Sequence, residues 1–147
     1  MGLREVTATN FGPTDDTLLC FAFENFGGKG ARLNRAKVLI TVEPLPAKPE
    51  YELGVWHDIG IPCEKGAIWN MFMSPKPPIS DAQWRAVISE TDGASRLSLY
   101  GVFEYWAGFG TKLRTMGFCR QYDPRSSRLL GKPTFVTAGG DRYNYAD

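Results

Sequence analysis

The sequence predicts an all-β fold, an immunoglobulin-like β-sandwich that carries one short amphipathic helix. Aromatic residues make up 13% of the 147 residues, and large rings are common on pleated sheets and in broad cores. Ten prolines and 16 glycines indicate many short elements joined by turns. Several segments have strand patterns and only one has a convincing helical pattern. The length predicts a single domain, residues 1–147, with one core.

The first third of the chain contains three predicted strands. Residues 3–9 are predicted as a short edge strand. Residues 17–25 are apolar on both alternating faces, which predicts a central strand covered on both sides. Residues 36–42 alternate and predict a half-buried strand. The three prolines within residues 44–49 then predict an extended linker, because proline lacks the amide donor that a strand needs.

Residues 51–59 and 67–73 are predicted as two further strands, separated by a turn over residues 60–65. The one predicted helix covers residues 81–90, where Ser80 and Gln83 form a capping box. Its apolar stripe consists of Trp84, Val87 and Ile88. Such a short amphipathic helix is expected to pack against one edge or end of the sheets.

The strongest local pattern is a hairpin. Residues 95–106 and 112–122 have strand patterns, and the loop of residues 107–111 between them holds two glycines. Gly101 lies inside the first of these strands, which suggests a bulge or a close approach of another backbone.

The C-terminal part is predicted to hold a loop, a last strand and a tail. Residues 123–133 are polar and basic and are predicted as a loop. Residues 134–138 are predicted as the last strand, and a polar tail follows.

Charge and composition exclude several classes of function. The net charge is +1 and the basic residues are scattered, so the sequence predicts no nucleic-acid partner. No apolar run reaches the length of a membrane-spanning helix. The three cysteines lack a C-x-x-C spacing, and His57 is the only histidine, so we predict no metal site and no cofactor.

No residue is predicted to be catalytic. His57 and Asp58 are neighbours in a predicted strand, where their side chains point to opposite faces, so Asp58 is badly placed to orient His57. The remaining carboxylates are spread over different strands. A pair of them in one groove, as in a glycoside hydrolase, stays open as an alternative.

Two aromatic residues near the hairpin loop are the predicted binding residues. Trp106 is the tryptophan best placed for exposure, and it is the candidate for a carbohydrate-binding module. Phe109 lies at the hairpin tip, where it is the candidate contact for a protein partner or for self-association. The alternative is that Phe109 folds back onto the sheet edge.

Three stretches of sequence resemble known bacterial proteins. Residues 24–31, ENFGGKGA, resemble a strand-and-turn pattern of bacterial immunoglobulin-like domains. The last five residues, YNYAD, are similar to the C-terminus of a group of uncharacterised bacterial membrane-associated proteins. A hairpin of the same group resembles this chain at Gly101, Tyr105, Phe109, Gly110, Arg114, Thr115, Phe118 and Cys119.

The resemblance implies a fold, a location and a class of function. The fold is an immunoglobulin-like domain at the C-terminus of a membrane-attached protein, whose membrane segment would precede this chain. The class is a non-enzymatic interaction or accessory domain with no catalytic residues to carry over. The residues themselves favour three reduced, buried thiols, with Cys20 and Cys119 in strands and Cys63 in a turn. The alternative, in an oxidising compartment, is a Cys20–Cys119 bridge, because immunoglobulin-like domains often join their two sheets by a disulfide.

Overall fold

The structure is a computed structural model that describes residues 1–13, 16–76, 78–89, 95–108, 110 and 112–147. These residues form nine strands and two α-helices, with short 3-10 turns at Tyr51–Leu53 and Gly140–Arg142. The strands are β1 (Gly2–Thr9), β2 (Leu18–Glu24), β3 (Ala31–Thr41), β4 (His57–Cys63), β5 (Ile68–Met73), β6 (Ser98–Ala107), β7 (Leu113–Tyr122), β8 (Phe135–Thr137) and β9 (Tyr145–Ala146). The helices are α1 (Asp81–Ile88) and α2 (Pro124–Leu130).

The strands form two antiparallel sheets. The smaller sheet has the order β1-β2-β5, and the larger has the order β4-β3-β6-β7-β8, with β9 also paired to β7. The predicted β-rich architecture is therefore confirmed. The predicted hairpin is confirmed as well, since β6 and β7 pair along their whole length.

The main core lies between the sheets. Leu19, Phe21 and Phe23 of β2 contribute the buried face of the smaller sheet. Phe23 packs edge-on against Phe103 and Phe118 of the larger sheet, with ring centroids 4.8 and 5.7 Å apart. The prediction that β2 is central in its sheet is confirmed. Its second face is only partly covered, because no further layer of the described structure lies outside the smaller sheet.

β3 has partners on both sides over only part of its length. It pairs with β6 throughout, but with β4 only over residues 31–36. Asn34 is an extra residue in the β3–β6 ladder, and Gly60, with a φ of 66°, is part of the irregularity in the β3–β4 ladder. Such bulges bend and twist a strand. The remaining residues of β3, 37–41, pair with β6 alone.

Helix α1 has the predicted start. Gln83 N donates to Ser80 Oγ at 3.2 Å, and Ser80 N donates to Gln83 Oε1 at 2.9 Å, which completes the capping box. Trp84 and Val87 are buried as expected, and the Trp84 ring meets Phe11 edge-on at 4.8 Å. The stripe is shorter than predicted, because Ile88 at the last turn is 46% exposed.

The loop predicted over residues 123–133 is wrong, because α2 occupies most of it. Asp123 caps the helix by accepting from Arg125 N at 3.1 Å, and Pro124 is the first helical residue. Gly131 follows the helix with a left-handed φ of 68°. These are the ordinary start and stop signals of a helix. The prediction of a loop relied on the polar and basic composition of residues 123–133 and did not use these signals.

The strand predicted over residues 51–59 and the turn predicted over residues 60–65 are also wrong. The 3-10 turn Tyr51–Leu53 begins this segment, and the strand β4 starts only at His57 and continues to Cys63. Pro62 lies within β4, at the edge of the sheet, where a strand tolerates the missing amide donor. Because the strand begins and ends later in the chain than predicted, Cys63 is the last residue of β4 and does not lie in a turn.

The favoured prediction of three reduced thiols is confirmed, because all three cysteines are free, and the alternative Cys20–Cys119 disulfide does not form. Cys20 alternates with the core-facing Leu19 and Phe21, so its side chain lies on the outer face of the smaller sheet. Cys119 packs with Tyr100 and Tyr143 in a second small cluster that is separate from the main core. The main core therefore separates the two sulfurs. Cys119 is fully buried as predicted, whereas Cys20 is only half-buried.

The C-terminal tail is folded onto the larger sheet. β9 pairs with β7 at Met116 and Gly117, and Tyr143 donates its hydroxyl hydrogen to the Pro46 carbonyl at 2.6 Å. The Asn144 side chain accepts from Cys119 N at 3.0 Å and donates to Ala138 O at 2.7 Å. The tail thus covers the sheet face that holds Cys119.

Candidate functional site

The structure describes one of the two predicted binding residues, Trp106, and its binding role stays a prediction. Trp106 lies near the end of β6, paired with Arg32 and Leu113, and it is half-buried. Phe109 lies outside the described residues, so its role at the hairpin tip stays a prediction.

A charged cluster that the sequence did not predict lies on the outer face of the larger sheet. Arg35 and Glu104 form a two-pronged ion pair, with Nε–Oε2 at 2.7 Å and Nη2–Oε1 at 3.1 Å. Asn34 donates to the same carboxylate at 3.2 Å. The hydrogen bonds from Arg35 lower the pKa of Glu104, and the carboxylate raises the pKa of Arg35. Trp56 lies over the Arg35 guanidinium, with 4.0 Å between its ring centroid and Cζ.

This cluster is satisfied internally. Both oxygens of Glu104 accept hydrogen bonds, and Trp56 covers both Arg35 and the Lys37 ammonium, the latter at 4.6 Å. The arrangement fixes residues 51–56 across the outer face of β3. Gly54 contributes as well, because a Cβ atom there would lie 2.7 Å from Lys37 Cγ. We therefore interpret it as a structural clamp.

A cleft lies where β3 loses its second partner. It has a volume of about 600 Å³ and opens at the side of the sandwich, between β3 and the end of β5. We call it the open-side cleft. Its walls come from Val38 and Ile40 of β3, Phe72 and Met73 of β5, and the segment around Val55. A smaller recess of about 200 Å³ adjoins it and shares His57, Phe72 and Met73.

Large apolar side chains in the wall of the open-side cleft face solvent. The exposed fractions are 36% for Leu18, 69% for Leu53, 71% for Val55 and 61% for Phe72. Isolated apolar residues on a surface are ordinary, but a group of them around one concave surface is typical of a binding site.

The cleft also presents unpaired strand backbone. The Lys37 carbonyl lies against Gly101 of β6, so it points into the sheet. Because alternate residues of a strand direct their backbone groups to opposite edges, Val38 and Ile40 direct theirs towards the cleft. No backbone hydrogen bond reaches them from that side within the described ranges. Within the described residues β5 pairs with β2 alone, so the other edge of β5 is also unpaired.

The titratable residues in the cleft wall are His57 and Lys76. Among the described residues no carboxylate contributes to the cleft wall, and Asp58 is the one carboxylate of the adjoining recess. Across the described residues, no three histidine, cysteine or acidic side chains are grouped as metal ligands. None of the helices in the described part of the chain has the length and apolar character needed to cross a bilayer.

The sequence held a partial signal for this cleft. Leu53 and Val55 were assigned to a predicted strand, in which half of the side chains are buried. Their exposure follows from the 3-10 turn and the clamp of Trp56, both of which depend on tertiary contacts with β3. The sequence predicts an extended linker over residues 44–49, but it does not show that apolar residues of β3, β5 and residues 53–55 meet in one cleft.

Comparison with known proteins gave no match: no family model matches the chain, and no curated protein or solved structure is significantly similar to it.

Proposed function

We propose that this domain is a non-enzymatic binding module, and that it takes an extended apolar segment of a partner protein into the open-side cleft as a strand added to β3. One observation carries the proposal: the unpaired edge of β3 at Val38 and Ile40 forms a wall of an exposed apolar cleft. The partner's backbone would complete the ladder, and its side chains would cover Phe72 and Val55.

The unpaired edge of β3 and the apolar wall of the cleft both favour an extended peptide as the ligand. An exposed strand edge is a template for another strand. A strand added there gains main-chain hydrogen bonds, and alternate side chains of that strand point into the cleft. A small apolar molecule would cover the same side chains without supplying backbone partners for Val38 and Ile40.

The alternatives have less support. A glycoside hydrolase needs two carboxylates in one groove, and the described wall of the open-side cleft contains none. A carbohydrate-binding module usually offers flat exposed rings, whereas Trp106 is half-buried and one side of Trp56 is occupied by Arg35 and Lys37.

The same proposal includes an immunoglobulin-like topology. In immunoglobulin domains, strands A, B and E share one sheet and strands C, F and G the other. The order β1-β2-β5 opposite β3-β6-β7 supports this correspondence. On it, the free edge of β5 corresponds to the position where constant-type domains carry strand D. The cleft would then lie beside a missing edge strand.

The proposed setting is an accessory domain of a membrane-attached bacterial protein, joined to its membrane segment by chain outside these residues. The resemblance of the hairpin between Gly101 and Cys119 and of residues 143–147 to such proteins supports this setting. A second copy of this chain is one source of the added strand, in keeping with the self-association expected from Phe109.

Selection of short random peptides on the domain tests the proposal. Peptides of about ten residues, long enough for one strand, are selected on the wild-type domain and counter-selected on Phe72→Ser. We expect selected sequences with alternating apolar residues, and a roughly tenfold weaker affinity for Phe72→Ser, because a large apolar contact is lost. Leu129→Ser is the matched control, since Leu129 is 77% exposed on α2.

N-methylation of the selected peptides then tests the backbone part of the proposal. Methylating the amides on one edge of the peptide should abolish binding, and methylating those on the other edge should not. Peptides that bind Phe72→Ser as tightly as the wild type, or that tolerate both methylation patterns, would contradict strand addition to β3.

A further inference from the structure

Arg120 is a partly buried cation that uses no carboxylate partner. It lies on β7 between Phe118 and Tyr122, both of which are buried in the core. Its side chain therefore extends towards β1, on the side of the sandwich opposite the open-side cleft. Burial lowers the pKa of this guanidinium.

The hydrogen bonds of Arg120 leave part of the guanidinium unused. Nη1 donates to Cys119 O at 2.9 Å and to Asn144 Oδ1 at 3.4 Å, and Nη2 donates to Leu3 O at 3.2 Å. A guanidinium has five N–H groups. The Nε–H and one Nη2–H have no partner among the described residues.

These acceptors are neutral, and no acidic side chain within the described ranges forms a salt bridge with Arg120. Arg35 differs from Arg120 in this respect, because its Nε and Nη2 both donate hydrogen bonds to the Glu104 carboxylate. A partly buried charge without an opposite charge is costly, and an anion from outside would compensate it.

A recess of about 340 Å³ adjoins Arg120. Its wall includes Leu3, Met116 and Ala146, together with Thr137 and Asn144; Ala146 is exposed, whereas Leu3 and Met116 are largely buried. The volume is within the range of small-molecule sites. The recess therefore places two unused N–H groups of the Arg120 guanidinium beside apolar residues.

We infer that this recess binds a small organic carboxylate with a short apolar chain, and that Nε and Nη2 of Arg120 hold its carboxylate. The apolar chain lies against Ala146 and the exposed part of Met116. A planar carboxylate matches the guanidinium fork better than a neutral alcohol, and its chain uses surface that inorganic phosphate leaves uncovered. The site is independent of the open-side cleft and of the strand addition proposed for it.

A titration of the wild-type protein tests this inference. The four methionine methyl groups, of Met1, Met71, Met73 and Met116, are labelled with ¹³C and followed by NMR. Hexanoate is expected to shift the Met116 signal saturably, at concentrations about tenfold lower than hexanol or inorganic phosphate. Met71 and Met73 report on the opposite side of the sandwich and should not respond.

Variants provide the second arm. Arg120→Gln should lose the response of Met116 to hexanoate, and Arg32→Gln should keep it, because Arg32 is an exposed arginine of β3. Arg120 also ties β1 to β7, so if Arg120→Gln fails to fold, the wild-type comparison decides. An unchanged Met116 signal, or equal effects of hexanoate and hexanol, would overturn the inference. A phosphate response as strong as that to hexanoate would also overturn the assignment to a carboxylate.

Discussion

Gly101 occupies a position in β6 where no side chain fits. A Cβ atom there would overlap the Lys37 carbonyl oxygen and lie 2.8 Å from Phe118 Cζ. We therefore expect Gly101→Ala to lower the free energy of unfolding by about 3 kcal/mol, as overpacking of a rigid core does. Urea denaturation measures it. The control is Gly28→Ala, since a Cβ atom at Gly28 meets nothing within 4 Å; equal losses in both variants would contradict the steric argument.

The Arg35–Glu104 pair predicts part of the acid sensitivity of the domain. Because Arg35 lowers the pKa of Glu104, the pair stabilises the fold fully above the unfolded pKa of about 4.3, and this contribution is lost as the pH falls through the lower folded value. Glu104→Gln should cost about 1–2 kcal/mol at pH 7.

Urea denaturation between pH 7 and pH 3 checks this. The difference in the free energy of unfolding between wild type and Glu104→Gln should become smaller as the pH falls. In an Arg35→Met background the substitution at position 104 should have a smaller effect at pH 7. A gap that stays constant with pH would show that Glu104 stabilises the fold by packing alone.

Sequence reasoning correctly identified those residues whose roles depend on neighbours close in the chain. Ser80 and Gln83 meet because they are three positions apart at a helix start, and Gly101 was recognised by its position inside a strand pattern. Arg35, Glu104 and Trp56 were missed as a cluster. Their contact depends on the β3–β6 register and on the bulge at Asn34, neither of which is encoded in local spacing.

At the scale of elements, α2 depends on its N-cap residue, Asp123. Asp123 accepts from Arg125 N at 3.1 Å and from the Ser126 hydroxyl at 2.7 Å. Asp123→Ala should destabilise the domain by about 1 kcal/mol, whereas Asp123→Asn should cost less, because asparagine is also a good helix cap. Thermal denaturation of both variants measures this; equal losses would show that capping is not the cause.

The elements with continuous strand patterns were predictable, and the short elements were not. β6 and β7 have long apolar patterns around two glycines, and they formed as expected. α2 has no apolar stripe in its sequence and was missed, although Asp123, Pro124 and Gly131 marked both ends. The 3-10 turn at Tyr51–Leu53 has three residues, too few for any periodicity to show.

At the scale of the whole molecule, the sandwich determines which thiols react. Burial raises the pKa of Cys119 to about 11 and also raises the pKa of Cys63, and both thiols are buried, whereas Cys20 is half-buried. With Ellman's reagent at pH 8, we expect Cys20 to react first and the other two slowly. Under denaturing, non-reducing conditions three thiols should react. A single reactive thiol in the denatured chain would contradict the free cysteines.

The fold class could be predicted from the sequence, but the candidate site could not. Composition and strand patterns indicate a β-rich domain without fixing which edges remain open. The open-side cleft exists because β4 leaves β3 after Ala36 and because β5 ends its sheet. Both are properties of strand order, and a single sequence determines strand order only through the complete set of packing contacts.

Native-state amide hydrogen exchange at β3 tests the central claim most directly. In the free domain, the Val38 and Ile40 amides should exchange quickly, because they face the cleft without acceptors, while the Lys37 and Leu39 amides should exchange slowly through their bonds to β6. A peptide selected on the cleft should slow Val38 and Ile40 specifically. Slow exchange at all four amides in the free domain, or no change at Val38 and Ile40 with peptide bound, would contradict strand addition.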